Sequence, residues 1–288
     1  MPDSLPPAPE TFSVLLPDRL IDPDKRPALA ALADFMSLTR SIADDGRMQP
    51  QLRSAHLTAL EGALTTEEGY VPLPKGVPPT IMAPGFTLRR ECDNRKITVA
   101  YGRRAAQAYK QDIAKKGYRD WSELLNYLRF SAASSAQYAV DALGLDASVY
   151  PAAEALACAN ALVNRMTSVM DDLARAKRTY VPMRWLSDAG IDVEELMLDG
   201  TNPADAGAPS AWLQVRDQGV TQARQLLAQA GPGIKAIKLW RLRLAFAWAK
   251  ADIAARCDAL SASQNYPSVV PAKPSRVSLI VATARAVL

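Results

Sequence analysis

Apolar residues recur at spacings of three and four along almost the whole chain, the repeat of an α-helix with one buried face. The windows that carry it are 27–45, 51–64, 86–116, 120–145, 150–176, 183–189, 213–230 and 233–261. Alanine, the strongest helix former, is abundant in them, and none shows the alternation of a half-buried strand. The pattern predicts an all-α fold. Pro72, Pro74, Pro78, Pro79 and Pro84 exclude helix from 69 to 84, and 200–209 reads as a second loop. Asp192 with Glu195 three residues on predicts a capped helix start after Gly190. Pro267, Pro271 and Pro274 stop the last long helix, leaving a short one over 277–288. In 233–261 the stripe Ile237, Trp240, Leu244 and Trp248 predicts the core face, and Lys235, Lys238, Arg241, Arg243 and Lys250 a solvated shell around it. No internal repeat is present. Residues 1–10 read as a flexible proline-rich N-terminus and 11–288 as one helical domain.

At 288 residues and 49% hydrophobic, the chain is long and apolar enough to bury a large core and a ligand cavity. The net charge of +4 is spread without a run of five basic residues, which excludes a nucleic-acid groove but suits diphosphate or an anionic membrane surface. Cys92, Cys158 and Cys257 are odd in number and far apart, so they read as buried, reduced thiols. The N-terminus is acidic and proline-rich rather than basic then apolar, and no window holds the ~18 apolar residues of a membrane span. A cytoplasmic protein without a transmembrane segment is expected, with peripheral membrane contact open. His56, the single histidine, has no local acid partner and reads as structural. There is no G-x-S-x-G elbow, Walker loop, G-x-G-x-x-G or H-E-x-x-H.

The stretch Asn164-Arg-Met-Thr-Ser168-Val-Met-Asp171-Asp172, followed by Arg178-Thr-Tyr180-Val-Pro182, is the most informative. It resembles the signature of squalene and phytoene synthases, in which a helix reading N-x-x-x-D-x-x-x-D runs into R-x-Y-x-P. Anchored on Asn164, Ser168 and Asp172 stand at the two aspartate positions; anchored on Arg178, Val169 and Leu173 do. Upstream, Leu16-Pro-Asp-Arg-Leu and Arg26-Pro-Ala-Leu-Ala-Ala-Leu-Ala-Asp-Phe35 resemble the family's opening segment. That segment leads into D-D-I-A-D in the bacterial hydroxysqualene and presqualene-diphosphate synthases, which the chain resembles more than the plant phytoene synthases. Here Arg40 and Ser41 take the places of two carboxylates and Asp44 matches the last. Gln111-Asp112, Tyr118, Trp121, Tyr127 and Ser131-Ala132 fit the family's middle motif, after which Ser135-Ala136 replaces a V-G pair.

The resemblance implies an isoprenoid-synthase-type helical bundle around a central cavity. It also implies an aspartate clamp for Mg2+, which neutralises the leaving diphosphate. Carboxylates at i and i+4 share a helix face and can reach one metal cluster. Loss of one acid from each helix spoils that clamp, and the fixed charge of Arg40 repels a metal while suiting an anion. Arg40, Arg178 and Tyr180 are therefore the diphosphate-binding candidates, Asp44, Asp45, Asp171 and Asp172 the remaining metal candidates, and Arg40, Ser41 and Ser168 the degenerate positions; no catalytic residue is assigned. Each has a plainer reading: Asp44 and Asp45 as solvated acids at a helix end, Asp171 and Asp172 as an ion-paired face beside Arg175, Lys177 and Arg178, and Tyr180 as packing under Pro182. Asp112, Tyr118 and Trp121 read as residues that hold the fold. The preferred reading is a catalytically degenerate homologue that binds an isoprenoid-type ligand or a protein partner. The alternative is an active Mg-dependent prenyltransferase, acting head to head on farnesyl or presqualene diphosphate, with a rebuilt metal site. Arg40 paired into the space between the acids would favour the first, and facing carboxylates free to share metals the second.

Overall fold

The computed structural model describes residues 11–66, 73–198, 205–267 and 283. Among them there are eleven α-helices and no strand: α1 (Arg26–Ala43), α2 (Pro50–Gly62), α3 (Ala83–Arg95), α4 (Ala100–Ala114), α5 (Trp121–Leu143), α6 (Tyr150–Thr167), α7 (Val169–Ala176), α8 (Met183–Asp188), α9 (Val193–Leu196), α10 (Pro209–Ala236) and α11 (Trp240–Ala262). The proline-rich 1–10 segment and the short helix expected over 277–288 lie outside the described residues.

α6 is the axis of the bundle. It packs against α5 on one side and α10 on the other, with α11 also against it. Its run of Ala152, Ala153, Ala155, Ala157, Ala159 and Ala161 is buried all round, as a helix surrounded by others must be. These short side chains let neighbours close in. Gly233 of α10 lies so near Ala152 that a Cβ there would sit 2.6 Å from the alanine methyl. α4 packs on α5, and α1 lies against α3 and α4.

Several boundaries differ from the periodicity. The window 86–116 is two helices, because Lys96 takes a left-handed conformation (φ 57°) and closes α3. The window 150–176 is interrupted at Ser168, whose φ of −105° and ψ of 13° separate α6 from α7. Pro79 and Pro84 sit in helical first turns, where their missing N–H has no intrahelical partner to lose. Gly231-Pro232-Gly233 does not divide the last two long helices; α10 runs through it, and the break falls at 237–239. The core face of α11 is accordingly Leu242, Ala245, Phe246, Ala249 and Ile253, whereas Trp240 is 64% exposed. Asp192 does cap a new helix, accepting from the N–H groups of Glu194 and Glu195.

Candidate functional site

The residues of the two aspartate-motif regions meet at one end of the bundle. Arg40 and Asp44, one turn apart on α1, form an ion pair at 3.3 Å (Nε to Oδ2). The other oxygen of Asp44 receives Arg178 Nη1 at 3.3 Å, from the extended segment after α7. Arg178 lies 3.6 Å from Asp112 of α4 and donates to the Tyr180 hydroxyl at 2.7 Å. Across the same space, Arg165 at the end of α6 pairs with Asp172 of α7 at 3.3 Å. Ser168 donates to the second oxygen of Asp172 at 2.7 Å, so this hydroxyl, at a degenerate position, orients the acid that survives.

Asp112 is the hub. It is fully buried and accepts from three phenols: Tyr127 at 2.6 Å, Tyr180 at 2.7 Å, and Tyr118. The three rings pack on one another with centroids 5.0 to 5.8 Å apart. The Arg165 guanidinium lies 3.5 Å from the centre of the Tyr180 ring, a desolvated cation–π contact. Burial pushes the Asp112 carboxyl up, against the pull of Arg178 and Arg165. Three hydroxyls aimed at two oxygens nevertheless require an acceptor, so the hydrogen bonding favours the carboxylate. Burial likewise raises Asp172, opposed by Arg165 and Arg40. For Arg178 burial works against the charge, but Tyr180, Asp112 and Asp44 outweigh it, and its pKa goes up. Arg53 of α2 donates to the Ala43 carbonyl at 2.8 Å, and its pKa is lowered by burial and by Arg178 nearby.

The candidate residues thus fall into two groups. Arg40, Asp44, Asp172, Arg178 and Tyr180 come together in the buried cluster. Asp45, Asp171 and Ser41 do not: Asp45 receives the exposed Arg47 side chain and its backbone N–H, and Asp171 and Ser41 are exposed. Among the described residues no group of three or more His, Cys, Asp or Glu is arranged to hold a metal ion. Asn164, the anchor of the motif, accepts from Arg256 of α11 at 2.8 Å. The turn after α1 lies directly on α7: a Cβ at Gly46 would collide with the Arg175 carbonyl oxygen. A cleft of about 100 Å³ between α7 and α9 is lined by Met170, Leu173, Lys177, Leu196 and Leu198, and an open groove of about 570 Å³ beside Trp185, Leu213 and Thr221 lies between α8 and α10. Neither is lined by the ionic cluster.

Arg165 was not singled out from sequence, although a signal existed. It is an arginine in the last turn of an alanine-rich helix, seven residues before Asp172, where a charge cannot be solvated and must be paired. Asp112 and Tyr118, read as fold-holding, prove to be built into the same cluster as Arg178 and Tyr180.

The family model "Squalene/phytoene synthase" matches residues 11–279. A hydroxysqualene synthase of Sinorhizobium fredii (strain NBRC 101917 / NGR234) is 26% identical over 224 residues, covering 78% of this chain and 70% of that protein. The crystal structure of squalene synthase HpnC from Alicyclobacillus acidocaldarius superposes with a TM-score of 0.63 at 19% identity, over 86% of each chain. A dehydrosqualene synthase crystallised in complex with ligand gives 0.64 at 16% identity, over 96% of this chain and 88% of that one. The two structures show that the fold is shared.

Proposed function

The chain belongs to the squalene/phytoene synthase family, and on that premise we propose that it is a catalytically degenerate member, acting by binding an isoprenoid-type ligand or a protein partner rather than by metal-assisted prenyl transfer. One observation carries the reading. Each of the two motif-region acids that reach the buried cluster is closed off by guanidinium: Asp44 by Arg40 and Arg178, Asp172 by Arg165. Magnesium requires near-octahedral oxygen coordination. To supply it here, Asp44 and Asp172 would have to release three arginines whose side chains are between 1% and 4% exposed. Those arginines would then lie buried, deprived of these carboxylates and next to a divalent cation, and removing the acid from a buried pair costs several kcal/mol. With their oxygens engaged in this way, Asp44 and Asp172 are a poor donor set for a magnesium ion.

The second reading is an active Mg-dependent prenyltransferase using farnesyl or presqualene diphosphate. It rests on the fact that Asp44 and Asp172 share one space, since Asp44 contributes to the upward shift of Asp172. Incubation of the purified protein with each diphosphate, with and without magnesium, separates the readings when diphosphate release is followed together with calorimetric binding. Binding without release supports a retained ligand site, and neither binding nor release supports a protein partner. Magnesium-dependent release that disappears in Asp44→Asn or Asp172→Asn sinks the degenerate reading.

A further inference from the structure

The elbow between α10 and α11 exposes two large apolar side chains that the bundle does not use. Ile237 turns inward and is buried, but Leu239 is 57% and Trp240 64% exposed. Around them the chain is basic: Lys235 and Lys238 are exposed, and Arg241 and Arg243 follow on the first turn of α11.

For the two arginines this charge is opposite to what helix stability asks for, whereas Lys235, in the last turn of α10, is favourably placed. The first turn of a helix carries a partial positive charge, so acids are favoured there and cations are not. α11 has no acid in its first turn, its N-cap Leu239 makes no side-chain cap, and Arg241 and Arg243 sit where carboxylates would stabilise. Two acids temper the patch without neutralising it. Asp22 pairs with Arg241 at 3.0 Å, and Asp146, whose pKa is lowered chiefly by hydrogen bonds from Ser148, is also within electrostatic reach of Lys238. A tryptophan and a leucine at the tip of a turn, ringed by lysine and arginine, match the interface of an anionic bilayer. There the indole sits at headgroup depth and the cations meet phosphate. The N-terminus of α11, which Leu239 does not cap with its side chain, lies at this same turn, and a helix N-terminus attracts phosphate.

We propose that the α10–α11 elbow docks the protein on an anionic phospholipid surface, with Leu239 and Trp240 inserted and Lys235 and Lys238 on the headgroups. The reading is independent of whether the ionic cluster is catalytic. It is tested with the full chain and vesicles of pure phosphatidylcholine or of phosphatidylcholine mixed with phosphatidylglycerol, by co-sedimentation at low and high salt.

The parent binds the mixed vesicles at low salt and is released by high salt, while pure phosphatidylcholine retains little. Lys235→Glu with Lys238→Glu lowers binding to mixed vesicles by on the order of tenfold or more, and Leu239→Ser with Trp240→Ser does so by a similar factor. All variants keep a cooperative melt no less stable than the parent's by more than a few degrees, because the replaced side chains are exposed, and a serine cap at 239 acts only to raise the midpoint. Brominated lipid quenches tryptophan emission in the parent and much less in Trp240→Phe, a readout that does not depend on the serine or glutamate variants. Absence of parental binding to the anionic vesicles, or parental binding by both double variants, overturns the proposal. So does a concentration-dependent dimer that Trp240→Ser dissolves, which would make the elbow a contact between two copies.

Discussion

Asp112 offers the sharpest test of the ionic cluster, because its carboxylate is fully buried and serves four donors. In Asp112→Ala the Arg178 guanidinium loses one of its two acids, and Tyr118, Tyr127 and Tyr180 lose their acceptor. Breaking a buried pair by removing one partner costs about 3–5 kcal/mol. Each buried hydroxyl left without an acceptor adds about 1–3 kcal/mol. Because Arg178 retains Asp44 the lower ends apply, and about 6 kcal/mol is expected for alanine. Asp112→Asn keeps one carbonyl oxygen for two of the phenols and is expected to cost about 3 kcal/mol. Both are large against a total stability of about 5–15 kcal/mol. Urea unfolding followed by far-ultraviolet circular dichroism measures them. A cycle with Arg178→Met isolates the coupling between the two side chains, expected to be about 2 kcal/mol or more. Asp45→Asn, which touches only an exposed pair, is the control and stays within about 0.5 kcal/mol. If Asp112→Asn costs less than about 1 kcal/mol, or if its effect simply adds to that of Arg178→Met, the cluster is not the cooperative unit described here.

On the degenerate reading the melting midpoint moves by less than about 1 °C between excess magnesium and excess EDTA, because that reading leaves mass action no metal site to work through; a rise of several degrees with magnesium contradicts it. Gly46→Ala forces the turn after α1 off the Arg175 carbonyl, and overpacking of this kind costs about 1–3 kcal/mol in thermal or urea unfolding; a neutral result means the two motif helices are not in contact there. Burial pushes the Cys158 thiol up from 9.0 to about 12, so at pH 8 a thiol reagent labels it only after unfolding. Between those values the unfolded chain has released the proton and the folded one has not. Its contribution to stability is therefore present below pH 9.0 and falls as pH rises towards about 12, by about 1.4 kcal/mol per unit. Alkaline melts of Cys158→Ala that parallel the parent's would refute the assignment.

Helical periodicity was enough to read the all-α fold, and the placement of α1, α2, α5 and α8, because their apolar spacing is uninterrupted and their ends carry proline, Asp120 or Gly144. Lys96 and Ser168 carry no such mark. A left-handed lysine and a serine with a ψ of 13° are imposed by packing between helices, a tertiary constraint that local spacing does not encode. Pro232 misled in the other direction: α10 is long enough, and packed closely enough on α6, to hold a proline within it. The stripe through Trp240 and Leu244 failed because its register was counted from Ile237, which lies before the helix rather than in it.

At the site, residue types were legible and pairings were not. Arg40, Asp44, Arg178 and Tyr180 could be named from motif positions, but only the packed chain shows that Arg40 and Arg178 converge on one carboxylate. The same convergence explains how the cluster holds together. Four guanidiniums, Arg40, Arg53, Arg165 and Arg178, meet three carboxylates, Asp44, Asp112 and Asp172, so the buried charge is close to balanced without any added ion. Balance of this kind makes each member depend on the others. An aspartate at position 40 would remove a cation that pairs with Asp44 and set a like charge beside it, reversing the sign of the cluster's one-charge imbalance and raising the pKa of the two facing acids. A single reversion towards the motif is therefore destabilising before it can be useful. The arginine at position 40 and the serine at 168 are best understood as parts of one alternative solution to filling this space, in which guanidinium and hydroxyl satisfy the acids that remain.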